Sequence, residues 1–208
     1  MKSDLDKLIK EFTKARKEES VRSLTMFTKD EDDAEWMLAV YSNKFMDREG
    51  DILSEASHKA FAEFVEETGL RPALTVYHLP NMSGVLWKDI IQDKIEDIPA
   101  LNEIIRKVYN DFGIGEVHRI IVSDGFAACA VKLREDKQEE IEIVKSMIDE
   151  LGLSHKFLGI PAIYTARAED GSITLQKVID RYISVEMSLL PVSAAANGIT
   201  YISAFSED

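Results

Sequence analysis

Apolar residues recur along this chain with two different periods, and the change from one to the other divides it. Between residues 4 and 19, Leu5, Leu8, Ile9 and Phe12 fall at the i, i+3, i+4, i+7 spacing of an amphipathic helix, with Lys, Arg and Glu on the opposite face. Such a stripe has to dock on another element. The following VRSLTMFTKDEDDAE has no period and ends in the acidic cluster Asp30 to Glu35, so it reads as an exposed linker. From Trp36 onward short apolar runs predict strands: WMLAVYS, then ALTVYH at 73–78, stopped by Pro80, then EVHRIIVS and FAACAVKL. The last two are joined by Asp124-Gly125, a strong hairpin signal. Residues 84–92 suggest one further short strand.

Helical spacing returns three times within this strand-rich part. Ser57 to Thr68 places Ala60, Phe61, Phe64 and Val65 on one face and ends at Gly69. DKIEDIPALNEIIRKVYNDFGIG carries Pro99 near its first turn and the stripe Leu101, Ile104, Ile105, Val108 and Phe112, with Gly113 after it. Residues 136–150 repeat the pattern with Ile141, Val144, Met147 and Ile148. The remainder reads as β-structure: LSHKFLGI, AIYTARA, an EDGS turn, ITLQKVI, YISVEMSLL, an Asn197-Gly198 turn and ITYISAF. About eight strands joined largely by hairpin turns, with about four helices, predict an α+β chain, mostly β: an antiparallel sheet or barrel surrounded by helices. The division expected is an N-terminal helix and acidic linker at 1–35, then one β-rich domain at 36–208 with a helical insertion at about 85–112.

Composition narrows the function classes. A chain of 208 residues suits one domain with a continuous core. With 38 acidic against 25 basic side chains and a net charge of -13, the balance argues against the clustered basic surface that nucleic-acid binding requires. The one cysteine, Cys129, sits in the apolar run GFAACAV and reads as a small buried hydrophobe. The first residues show no signal-peptide core and no run reaches membrane-spanning length, so the expectation is a cytoplasmic protein without membrane contact. Neither G-x-S-x-G nor a P-loop occurs, and His58, His78, His118 and His155 show no metal-ligand spacing. No cofactor and no metal are therefore expected.

Three strand-like segments each hold a polar residue that chemistry can use: Ser154 in LGLSHKFLG, His78 in YHLPN and Glu186 in YISVEMSLLP. A serine, a histidine and a carboxylate from separate strands are the parts of a serine hydrolase. His155 is adjacent to Ser154, so on a strand it points to the opposite face and is a poor base for it; a surface place is expected. Alternation puts Ser184, Glu186 and Ser188 on one face of their strand.

The flanks of these residues form an ordered series. AVYSNKFMDREGDILSEASHKAF, VYHLPN, GIGEVHRIIVSDGFAACAVKL, MIDELGLSHKFLG and YISVEMSLLPVSAAAN resemble, in this order, the landmarks of the prohead (capsid maturation) proteases of tailed bacteriophages. The resemblance covers roughly residues 36 to 197. It implies a serine endopeptidase with a fold similar to the herpesvirus assembly proteases, a small β-barrel wrapped by helices. It also implies Ser154 as nucleophile, His78 as general base and Glu186 as the acidic third member, with Asp180 and Asp170 as alternatives for that last role. The chain departs from the pattern in its insertion at 85–112, which suggests a lid or a docking surface, in the His-Lys pair after Ser154, and in a longer closing motif.

The function implied is cleavage of scaffold, of capsid-protein extensions and of the protein itself inside the assembling procapsid, in the host cytoplasm. Scaffold and major capsid protein are then the substrates, and the chain is a candidate homo-oligomer. The competing reading is a non-catalytic assembly or scaffold-like protein that keeps the fold. A small-molecule esterase ranks last, since the elbow motif is missing.

Overall fold

The computed structural model describes residues 6, 7, 9, 10, 14, 25–30, 32–43, 47, 50–82, 97–123, 125–167, 171–191 and 193–195. Eight strands form one sheet: β1 (Thr25–Lys29), β2 (Glu35–Asn43), β3 (Asp51–Leu53), β4 (Ala73–Val76), β5 (Gly115–Ser123), β6 (Phe126–Leu133), β7 (Leu151–Arg167) and β8 (Ile173–Pro191). Among the described residues the helices with defined bounds are α1 (Glu55–Thr68), the short α2 (Leu79–Met82), α3 (Ile98–Phe112) and α4 (Gln138–Ser146), and residues 6, 7, 9, 10 and 14 are also helical. The strands expected at 84–92 and in ITYISAF, Leu5, Leu8 and Phe12 of the first stripe, and Asp170 lie outside the described residues.

The sheet runs β1-β2-β6-β5-β4-β8, and β7 lies along the outer edge of β8. The other edge of β8 carries two partners end to end, β3 at Lys177–Ile179 and β4 at Glu186–Leu189, and both run parallel to it. Every other ladder is antiparallel. Among the described residues no ladder joins β1 or β2 to β7, so the sheet is open and the expected closed barrel is not formed. It nonetheless curls: the rings of Tyr41 on β2 and His155 on β7 are 4.9 Å apart. Turn signals report local connections and carry no information on whether the outer strands meet, so they do not predict closure.

Both faces of the central strands are covered, which accounts for their unbroken apolar runs. Met37, Ala39 and Tyr41 of β2 join Cys129 and Val131 of β6, Phe61 and Val65 of α1 and Ile141 and Val144 of α4 in the main core. Trp36, Leu38 and Val40 point the other way, onto Ala128 and Ala130, and Ile9 of the N-terminal helical residues packs there. A third cluster fixes α3: Leu101, Ile105 and Val108 are buried on Leu70, Ala73 and Val185. The helix read as an insertion is thus built into the body through β4 and β8.

Three further expectations are corrected. The presumed linker contains β1, and Asp30 within its acidic run is a structural cap that accepts from the amides of Asp32 and Ala34 and from the Trp36 indole. The strands read separately around Gly159 and Pro161 are one 17-residue β7, because a register shift between Ile160 and Pro161 absorbs the proline. Helix 136–150 is shorter: α4 is flanked by 3-10 turns at Glu135–Lys137 and Ile148–Glu150.

Candidate active site

Three neighbouring strands, β7, β8 and β4, bring the sequence-predicted residues to one face. In their registers Ser154 stands opposite Ser188, and Ser188 opposite Thr75, so three hydroxyl side chains lie in a row across the sheet. One step along, Lys156 stands opposite Glu186, and Glu186 opposite Ala73. Glu186 is fully buried. A buried carboxylate needs hydrogen-bond donors, and Thr75 Oγ1 supplies one to Oε1 at 2.5 Å.

His78 reaches the same carboxylate through a sharp local turn. The Tyr77 amide still donates to the Leu189 carbonyl, extending the β4–β8 ladder by one bond. Tyr77 and His78 then both adopt the left-handed region, at φ 55° and 48°. For residues with a Cβ this costs about 1–2 kcal/mol each, and it persists only where the surroundings impose it. Here they do: the His78 amide donates to Ser188 Oγ at 2.8 Å, and Nδ1 of its ring lies 3.2 Å from Glu186 Oε1. With the carboxylate on Nδ1, the proton is held on that nitrogen and the Nε2 lone pair is left as the base. The His78 side chain keeps 22% of its surface exposed while Glu186 has none, so the imidazole is open to solvent with the carboxylate behind it.

Ser154 is 6% exposed and is separated from His78 by Ser188, its cross-strand partner. Among the described residues no hydrogen bond joins the His78 ring to Ser154. Proton transfer between them requires the two side chains to close, as catalytic hydrogen bonds often do only in the substrate complex. Of the alternative acids, Asp180 accepts from the Tyr164 hydroxyl at 3.0 Å on the far part of the β7–β8 hairpin.

The expected alternation of Ser184, Glu186 and Ser188 fails at a β-bulge. Lys156 pairs with Glu186 and Phe157 with Ser184, so Val185 has no partner and the phase of β8 changes there. Glu186 and Ser188 share the face of Ser154, whereas Ser184 turns inward and its Oγ lies 2.7 Å from His155 Nδ1. His155 is on the face opposite Ser154, as alternation requires, and is half-buried against the core rather than exposed on the surface. Its ring stacks on Phe157 at 4.8 Å and meets Tyr182 edge-on at 5.5 Å. Burial first, and then the nearby His58 and His78, hold its pKa down to about 3.

Sequence reasoning gave no role to His58, which turns out to belong to the same interior. Its Nδ1 is 2.8 Å from the Tyr182 hydroxyl, which is itself 2.8 Å from the Tyr41 hydroxyl. Burial lowers its pKa to about 4. The available signal was its helical phase, since His58, Phe61 and Val65 share the buried face of α1. Among the described residues no group of His, Cys, Asp or Glu side chains is arranged to hold a metal ion, and no helix is long and apolar enough to cross a membrane. A cavity of about 230 Å³ lined by Gly69, Arg71, Asn102, Ile105 and Arg106 includes none of the residues of this site.

Comparison of the chain with protein families, with curated proteins and with solved structures finds no match.

Proposed function

We propose that the protein is a serine endopeptidase of the prohead-protease type, which cleaves scaffold protein, capsid-protein extensions and itself within the assembling procapsid in the host cytoplasm. The observation that carries this reading is the His78 Nδ1 to Glu186 Oε1 contact of 3.2 Å, on the sheet face that also bears Ser154. The ordered sequence landmarks supply the substrate class, and the curled sheet with outer helices supports a herpesvirus-assembly-protease-like fold opened along one seam.

In the proposed reaction His78 Nε2 takes the Ser154 hydroxyl proton as Oγ attacks the peptide carbonyl carbon. Glu186 holds the imidazole tautomer and stabilises the imidazolium that forms. His78 returns the proton to the leaving amine, the C–N bond breaks, and an acyl-serine remains. Water, deprotonated by the same histidine, then releases the acid and restores Ser154.

The burial of Ser154 and its separation from His78 favour one competitor, a non-catalytic assembly protein that keeps the fold. Incubation of the purified protein with its cognate scaffold, followed by mass spectrometry of the products, decides between the two. Cleavage together with labelling of Ser154 by an organophosphorus fluoride is the outcome expected. Intact scaffold and an unlabelled Ser154, at any stage of assembly, would establish the non-catalytic protein.

A further inference from the structure

We infer that Thr75 and Ser188 are positioning residues of the His78–Glu186 pair, Thr75 fixing the carboxylate and Ser188 fixing the backbone that carries the base. The inference rests on the catalytic reading of His78, but its test does not depend on proteolysis alone.

The geometry assigns each hydroxyl a separate task. Thr75 Oγ1 donates to the same Glu186 oxygen that meets His78, at 2.5 Å against 3.2 Å for the ring. An ionised carboxylate is acceptor-only, so both groups on Oε1 act as donors, and the ring proton has to sit on Nδ1. Thr75 is fully buried and reaches Glu186 from the strand on the far side of β8 from Ser154, so no substrate need touch it. Ser188, also fully buried, acts on the main chain: its Oγ accepts the His78 amide at the second of two left-handed residues. Without that acceptor, a backbone conformation unfavourable for Tyr77 and His78 loses the bond that terminates it. The β4–β8 pairing supplies both contacts together, since Thr75 and Ser188 are register partners.

The result is a division of labour by direction. Thr75 holds the carboxylate in the orientation that meets Nδ1, so that without it Glu186 is free to turn away from the ring, and Ser188 controls where the ring is. A positioning role therefore predicts different losses from the two positions, whereas simple packing predicts neither.

The test compares Thr75→Val, which preserves shape and removes the donor, with Thr75→Ser, which restores the donor, and with Ser188→Ala. The tautomer of His78 is read by long-range nitrogen–proton NMR, and cleavage of scaffold by kcat and KM separately. Wild type and Thr75→Ser are expected to show the Nδ1–H tautomer, and Thr75→Val a mixture with Nε2–H. For cleavage, Thr75→Val is expected to lose 10- to 100-fold in kcat with KM within twofold, and Thr75→Ser to recover most of it. Ser188→Ala is expected to keep the tautomer and to shift the His78 amide resonance. An unchanged tautomer in folded Thr75→Val, or Thr75→Ser as impaired as Thr75→Val, would overturn the inference while leaving Ser154 and His78 as an active pair. A wild-type protein that never cleaves but shows the expected tautomer changes would sink the protease reading and keep the positioning one.

Discussion

Ser154 and Ser188 face each other across the β7–β8 ladder, yet only Ser188 is tied to His78, through the histidine amide. Two serines side by side therefore have separable roles. Ser154→Ala is expected to remove essentially all scaffold cleavage while changing unfolding free energy by only about 0.5–1 kcal/mol, the value of one small polar contact. Ser188→Ala should reduce cleavage without abolishing it. Ser184→Ala should leave cleavage nearly intact but cost about 1 kcal/mol, because the half-buried His155 would lose the partner of its Nδ1. Scaffold cleavage and urea unfolding across the three variants check these; wild-type cleavage by Ser154→Ala would remove the mechanism.

The acid can be assigned by the same logic. Glu186→Gln keeps the shape of the site and removes the charge that orients His78, so kcat is expected to fall by roughly 10³–10⁴. Asp180→Asn alters an exposed contact with Tyr164 and should cleave at nearly the wild-type rate. The reverse ranking in steady-state kinetics would move the third role to Asp180.

Two interior-facing histidines, His58 fully buried and His155 half-buried, set an acid limit on stability. His58 and His155 stay neutral in the fold down to about 4 and about 3, against an ordinary value of 6.5 in the unfolded chain. Below 6.5 the unfolded chain binds protons that the fold refuses, so stability declines as the pH falls. The slope is about 1.4 kcal/mol per pH unit for each histidine. The loss from His58 is complete near pH 4 and that from His155 near pH 3. Urea midpoints measured between pH 7 and 4 should show this decline, and His155→Phe, which preserves the ring stack, should make it shallower. An equal slope in that variant would assign the effect to other groups.

Helix α3 is expected to be indispensable. Leu101→Ala or Ile105→Ala removes a side chain packed on Ala73 and Val185 and should cost about 2–5 kcal/mol. Deleting residues 93–112 uncovers Leu70 and, on the strands that hold the site, Ala73 and Val185, and an unfolded or molten product is expected. A cooperative thermal transition and sharp NMR spectrum for the deletion would make α3 an accessory element after all.

The parts of this structure legible in the sequence are those decided locally. The Gly125 turn of the β5–β6 hairpin, the left-handed Gly69 after α1 and the stripe of α3 all follow from neighbouring residues. His78 at a strand end and Glu186 on an apolar strand were also visible, because polar residues in such runs stand out. Three features were not. The Val185 bulge reverses the phase of β8 between Ser184 and Glu186, and alternation cannot register one extra residue. The left-handed Tyr77 and His78 are held by Ser188 and Leu189, more than a hundred residues away in sequence. The parallel pairing of β3 and β4 with β8 needs long crossovers, which no turn motif announces.

That same pairing has a temporal consequence. His78 and Glu186 are 108 residues apart, and closing a loop of that length costs about 4 kcal/mol of chain entropy before any contact repays it. The β5–β6 hairpin needs no such closure and is expected to gain hydrogen-exchange protection first, with β4 and the end of β8 protected last, as pulse labelling during refolding would show. A chain of this topology can thus hold much of its hairpin structure while the base and the acid are still apart. Under the proposed mechanism, competence for chemistry is expected as a late folding event.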